Sequence, residues 1–331
     1  MQLTRYFIPL CLSALLLLSA CGTENSGTTP AENHPPAAEN ETPASEPEKT
    51  ADYPKTFTHV MGETVLDETP TRIFAPYVED ALLTLGVTPV LKWSLGDYVQ
   101  EYLETELQDV PPVDYSSGGP SLEAVLEANP DLIFLYSTGM AADGRYEQLS
   151  KIAPTYVYED SAGDWQGTLR KLGELLDKNE LAEEKIAAYE ELLAGAKTKL
   201  AAVAEDKTFA VVRVRAQDYV LMDGVNFSGK TLFDELQLTP HPMVKETAWE
   251  TFLPISLEKL PDLDADYIFY MVQGEAAQGM AKELFDSPFW QNLPAVRNGN
   301  AHEVEVSYWL AAGYQANTRQ IEDVLHLLQV D

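Results

Sequence analysis

Cysteine is nearly absent from this chain: Cys11 and Cys21 are the only two thiols in 331 residues. Both fall in the first 21 residues, so nothing beyond them can form a disulfide, supply a cysteine metal ligand or act as a thiol nucleophile. Stability must come from a hydrophobic core. Basic residues are scarce too, 22 lysines and arginines against 53 aspartates and glutamates, for a formal charge of −31. That balance argues against nucleic acid or an anionic membrane surface as partner, and it makes any local basic cluster informative. Histidine is sparse and scattered (His34, His59, His241, His302, His326), with no HxH or HExxH spacing. Converging imidazole ligands for zinc or manganese are therefore not expected. No G-x-S-x-G is present, and nothing else suggests catalysis.

What is present begins with MQLTRYFIPLCLSALLLLSAC, with one positive charge at Arg5, an apolar run from Tyr6 to Leu18 and small residues before Cys21. This reads as an export signal, too short for a comfortable membrane span. Its ending, Leu18-Ser19-Ala20-Cys21, resembles the lipobox of bacterial lipoproteins. The resemblance implies cleavage after a signal peptide of residues 1–20 and a lipid anchor on Cys21 at the outer face of a membrane. Residues 21–52 are rich in Pro, Ala, Ser, Thr and Glu without apolar periodicity, the composition of a disordered tether. The remainder is long enough for two lobes.

From Thr71 onward strand and helix signals alternate, the α/β pattern. Strands are predicted in RIFAPY, TPVLKW, DLIFLYS and PTYVYE, then in TFAVVRVR, YVLM, ADYIFYM and AHEVEV, with a final helix ending near Leu328. No proline occurs between Pro154 and Pro240, and apolar residues there recur at helical spacing (Leu169, Leu172, Leu176, then Ile186, Tyr189, Leu192, Leu193). A break near Asp177-Lys178-Asn179 predicts two helices, the second over 181–204 and long enough to pass from an N-terminal lobe (53–180) to a C-terminal one (205–331). The halves echo each other: Ser121-Leu122-Glu123 precedes Asp131-Leu132-Ile133-Phe134 at the same offset as Ser256-Leu257-Glu258 precedes Asp266-Tyr267-Ile268-Phe269.

Residues Gly224–Thr231, GVNFSGKT, satisfy the P-loop pattern G-x-x-x-x-G-K-[ST] between a predicted strand and a predicted helix. A nucleotide-binding protein is one reading. Against it stand the exported location, where ATP is scarce, and YIFYMVQGE, which puts Gln273 where a magnesium-binding acid is needed. The alternative is a structural connection, with Gly224 and Gly229 supplying turn conformations and Lys230 at the surface.

Taken together, the lipobox, the acidic tether, RIFAPYVEDALLTLGVTPV, SLEAVLEANPDLIFLY, IAPTYVY with DWQGTLRKLGELL, DADYIFYM and SPFWQNLPAVRNGNAHEVEVSYW resemble the iron-siderophore substrate-binding lipoproteins of ABC importers. Cobalamin and haem binders belong to the same larger class. The likeness runs from about Tyr53 to the C-terminus. It implies the class III periplasmic-binding-protein fold, two Rossmann-like lobes joined by a single long helix with the ligand between them. It also implies no enzymatic activity and no cofactor, the cargo being a ferric siderophore whose iron the chelate already coordinates. The implied partners are an ABC permease dimer with its cytoplasmic ATPase, and the implied form is a monomer on a Gram-positive cell surface. Haem, cobalamin and ferric citrate remain alternative cargoes, and a surface adhesin or signalling protein that kept the fold is a third class.

Binding a saturated chelate calls for cations and aromatic faces rather than metal ligands. Arg213 and Arg215 alternate with Val212 and Val214, which puts both arginines on one side of a strand near its carboxyl end. The resemblance implies a ligand-contacting arginine in this strand, with Arg215 ranked before Arg213. Lys92 is a candidate third cation. Aromatic candidates at strand ends are Trp93, Tyr136, Tyr308 and Trp309, with Trp309 first because the family often has a cleft tryptophan there; Tyr77 and Tyr219 rank lower. The resemblance further implies that Glu123 and Glu258, one on each lobe, dock onto the permease, which as a dimer offers two equivalent sites. Both arginines together suit a catecholate, and one of them with a tryptophan suits a hydroxamate equally well.

Overall fold

The computed structural model describes residues 52–330. The export signal, Cys21 and all but the last residue of the expected tether lie outside them.

In the N-terminal lobe three parallel strands run in the order Ile73–Phe74, Leu132–Leu135, Thr155–Val157. Leu132 to Leu135 are all fully buried, as expected for a parallel strand covered on both faces. Beside Ile73–Phe74 the sheet continues through Val90, whose N–H donates to the Ile73 carbonyl, toward the parallel pair Lys92–Ser94 and Pro112–Asp114. An antiparallel hairpin, Lys55–His59 with Gly62–Leu66, is pinned to the Thr155–Val157 strand by the Thr64 hydroxyl on the Thr155 carbonyl at 2.6 Å. The C-terminal lobe is built on Thr208–Val214, with Tyr267–Val272 and then Ala301–Glu303 parallel on one side. Tyr219–Leu221 and then Leu253–Ile255 lie antiparallel on the other.

The sequence echo marks one structural device used twice. Asp131 starts the central N-lobe strand, and its carboxylate accepts from the Thr71 N–H and hydroxyl and from the Arg72 N–H. Asp266 does the same for its neighbouring strand, accepting from the Thr208 N–H and hydroxyl and from Lys207. In each lobe one carboxylate satisfies orphan donors where two parallel strands begin. Upstream, Ser121 caps the helix Leu122–Ala128 by accepting from the Ala124 N–H. Its counterpart after Ser256 is the shorter 3₁₀ turn Leu257–Asp262, with Pro261 inside it, a residue that removes an α-helical donor.

The long helix spans Asn179–Leu200, 22 residues or roughly 33 Å. It begins two residues before the predicted 181 and gives way to turns through 204. Asp177 makes the break ahead of it with a left-handed backbone (φ 55°), and its carboxylate collects Tyr53, Thr69 and Lys55. The terminal helix Tyr314–Leu327 packs along the long helix and also meets the N-lobe helix Glu79–Thr84. There the buried Asp80 accepts from the Gln315 and Ala316 N–H groups at 3.0 and 2.9 Å, capping the terminal helix from the other lobe. A Cβ at Gly313 would stand 2.4 Å from the Asp80 carboxylate, so this approach requires glycine. Tyr77 adds a second tie, donating to the Leu310 carbonyl at 2.7 Å.

The RIFAPY strand is shorter than predicted because Pro76 lacks a ladder donor and Tyr77 turns to φ 69°. In TPVLKW pairing as a strand begins only at Lys92.

Candidate ligand-binding cleft

On the C-lobe side, Val212 and Val214 are fully buried while Arg213 emerges between them. Its Nε and Nη2 donate to Gln273 Oε1 at 3.0 and 2.5 Å. Gln273 is in place because its N–H continues the parallel ladder onto the Val214 carbonyl at 2.9 Å. Burial, and then the neighbouring Arg215, lower the pKa of the Arg213 guanidinium, while the nearby Tyr77 and Tyr98 of the other lobe act in the opposite sense. Arg215 lies one residue past the strand in a tight turn closed by its N–H on the Asp218 carbonyl at 2.9 Å. Nε and Nη2 of Arg215 clasp the two Asp218 oxygens at 2.6 and 2.5 Å, and the Phe252 ring lies 5.2 Å from the guanidinium carbon.

The N-lobe side is aromatic. Tyr77 is its centre, with ring centroids of Trp93 at 4.9 Å, Tyr136 at 5.3 Å and Phe227 of the C-lobe at 6.4 Å; Tyr98 stands 5.9 Å from Trp93. Under these rings Glu79 is buried and accepts from the Trp93 N–H at 2.6 Å, its other oxygen unpartnered. Between the lobes lies a cavity of about 500 Å³, lined by Leu95 and Tyr98 on one side and Arg215, Asp218, Gln273 and Gly274 on the other. A larger cavity, about 660 Å³, belongs to the N-lobe alone between His59 and Asp164. Glu159, Asp160 and Asp164 line it, and no lysine or arginine does.

Several expected residues are elsewhere. Trp309 is fully buried, its ring 5.0 Å from Phe269 and its Nε1 on Asp323 at 2.8 Å. The strand ends at Glu303 and residues Val306–Trp309 form a helical turn, which directs the indole into the core. Tyr308 donates to the same Asp323 at 2.9 Å and meets Tyr102 edge-on, an interlobe contact. Lys92 is 7% exposed and spends its charge on Glu104 and on the Leu107 carbonyl, so it offers no third cation to the cleft. Tyr219 is buried and bonded to the Met280 carbonyl.

Trp93, Tyr136 and Tyr77, by contrast, cluster on one wall, with Arg213 near Tyr77 and Tyr98, while Arg215 lines the interlobe cavity opposite Tyr98. Tyr98, Phe227, Asp218 and Gln273 were not among the expected site residues. For Gln273 a signal existed: aligning MVQ in parallel with RVR (213–215) puts it beside the end of the arginine strand. Among the described residues no group of three or more His, Cys, Asp or Glu is placed to hold a metal ion.

The P-loop pattern has no phosphate cradle. The Val225 and Asn226 N–H groups already donate to the Asp223 carboxylate, and Lys230 pairs with Asp234 at 3.0 Å. The preceding strand Tyr219–Leu221 is antiparallel to its neighbours. Nor do the glycines serve turns. Gly229 has helical φ −61° and is required because a Cβ would collide with the Asp223 carbonyl, while one at Gly224 would strike Trp249.

Residues 76–304 match the periplasmic binding protein family. This chain is a member of that family. A probable siderophore-binding lipoprotein of Bacillus subtilis, YfiY, is 31% identical over 91% of this chain and 90% of its own. The iron(3+)-hydroxamate-binding protein FhuD of the same organism is 32% identical over 58% of this chain and 61% of its own. Among solved structures, Staphylococcus aureus SirA complexed with staphyloferrin B superposes with a TM-score of 0.72 at 26% identity, covering 84% of this chain and 99% of SirA. The two-lobed mixed α/β architecture is that of the class III periplasmic-binding proteins. Among the described residues, no helix is long and apolar enough to cross a membrane.

Proposed function

We propose that this family member is the extracytoplasmic binding component of an ABC importer, taking a ferric siderophore between its lobes and delivering it to a permease. The observation that carries this reading is the pairing of Arg213, whose side-chain partner is the neutral Gln273, with the aromatic wall of Tyr77, Trp93, Tyr98 and Tyr136. A ferric chelate is already saturated at the metal. It needs N–H donors for its chelating oxygens and flat apolar surface for its organic shell, and this cleft offers both. The names of YfiY and FhuD support the same cargo class, and the word lipoprotein in the former supports an anchor on Cys21. Glu123 and Glu258 are both exposed, each two residues after the serine that opens its helical turn. That placement supports one docking carboxylate per lobe, with the permease dimer and its ATPase as partners.

Trp93 makes the cleft optically addressable. Titrating the purified protein with a panel of ferric chelates should give saturable quenching of tryptophan fluorescence by at least one siderophore class. Quenching by haem, cobalamin or ferric citrate, with none by any ferric siderophore, would assign the cleft to another cargo.

A further inference from the structure

Two arginines reach the cleft from one strand, yet they differ in what they offer a ligand. Arg213 is hydrogen-bonded to an amide and to no carboxylate, Asp218 acting on it only through space. Arg215 is held on both arms by the Asp218 carboxylate, with the Phe252 ring against its guanidinium. Side-on bidentate pairing is the strongest geometry available to arginine and carboxylate. Asp218 is no incidental surface acid, since it lines the interlobe cavity and its side chain is 34% exposed there. Nor does the turn demand an acid at 218. It is closed by the Arg215 N–H on the residue 218 carbonyl, a bond that any side chain at this position permits. An acid that lines the interlobe cavity and clasps one of its arginines therefore has a consequence for the cargo rather than for the fold.

We infer that Asp218 is a charge-selectivity residue: it neutralises Arg215 and so directs the cleft toward ferric chelates of little or no net negative charge, the hydroxamate class, and away from multiply charged catecholates. The chemistry of the two classes makes this a sharp distinction. Each hydroxamate carries one negative charge, so three of them balance ferric iron. Each catecholate carries two, so three leave a trianion. A trianion needs several unpaired cations, whereas a neutral complex needs one donor fork and aromatic surface, which Arg213 and the N-lobe rings supply. This inference rests on the reading of the cleft as a ferric-siderophore site.

The test is a pair of fluorescence titrations of the full chain, with a neutral ferric tris-hydroxamate and a trianionic ferric tris-catecholate, at fixed ionic strength. The wild type should favour the tris-hydroxamate. In Asp218→Asn, which keeps the shape and removes the charge, the ratio of the two Kd values should move about tenfold toward the tris-catecholate, and Asp218→Glu should restore the original ratio. Asp218→Ser provides the same charge removal should the asparagine variant fold poorly. Binding by the wild type with a ratio that is unmoved in the neutral variants, or that moves equally in Asp218→Glu, overturns the role of Asp218. A wild type that binds both and favours the tris-catecholate overturns the cargo class. A wild type that binds neither overturns this inference together with the function beneath it.

Discussion

At the cleft the N-lobe presents aromatic rings beside a buried acid: Tyr77, Trp93, Tyr98 and Tyr136 cluster around Glu79, which is 1% exposed and accepts from the Trp93 N–H. The C-lobe presents guanidinium groups that are only partly buried, with their hydrogen-bond partners beside them. Away from the cleft the lobes converge, since Asp131 and Asp266 tie their strand starts alike, and Glu123 and Glu258 occupy matching exposed positions. Repetition is therefore retained in the scaffold and at the exposed glutamate pair proposed to dock the permease. It is lost at the cleft proposed to hold the ligand.

The largest expected effect tests the shared part of the lobes. Replacing Glu123 and Glu258 together by alanine should leave chelate affinity intact and reduce iron uptake to near the level of cells lacking the protein, with each single change giving an intermediate loss. Both side chains are exposed and belong to neither core, so folding should be unaffected. Normal uptake by the double variant would remove the docking role.

The second effect tests the unshared part. Arg213→Ala removes a partly desolvated, charge-assisted donor, and should weaken ferric-chelate binding by roughly thirtyfold, about 2 kcal/mol. Arg215→Ala removes a guanidinium already engaged by Asp218, and should cost a neutral chelate roughly threefold or less. Equal losses in the two variants would mean that the Asp218 clasp opens on binding.

The arginine pair was legible because Arg213 lies within a continuous strand and Arg215 directly follows its last residue, Val214, so a period of two reaches both. The strand-end aromatics were legible only in part. Trp93 lies within the Lys92–Ser94 strand and Tyr136 directly follows Leu132–Leu135, so both stay beside Tyr77, but Trp309 follows its strand by six residues, enough for a helical turn to rotate it inward. Tyr98 sits in the loop beyond Lys92–Ser94, and Phe227 takes a left-handed backbone (φ 48°), so neither has a periodic signal. The neutralisation of Lys92 is not legible because its acid, Glu104, comes from a separate helix twelve residues on. The two-lobe fold was easier to read than the cleft, since buried apolar runs and one uninterrupted helix announce themselves locally, whereas side-chain pairing across lobes does not.

The smallest effect concerns the acid buried under the rings. Burial is the chief cause that raises the Glu79 carboxyl to about 7, with Asp80 adding to it, while N–H donors such as that of Trp93 pull it down. Between the ordinary glutamate value and about 7, the folded protein thus retains a proton that the unfolded chain has released. Stability contributed by this group is present at low pH, falls as pH rises through that window and is flat above it. Glu79→Gln mimics the protonated side chain and keeps an oxygen for the Trp93 N–H, so it should remove this slope. Near pH 5 the variant and wild type should melt together. At pH 8 the variant should be the more stable of the two, with a Tm higher by a few degrees. A difference of the same sign and size at both pH values would show instead that Glu79 is ionised throughout, with its second oxygen solvated rather than buried.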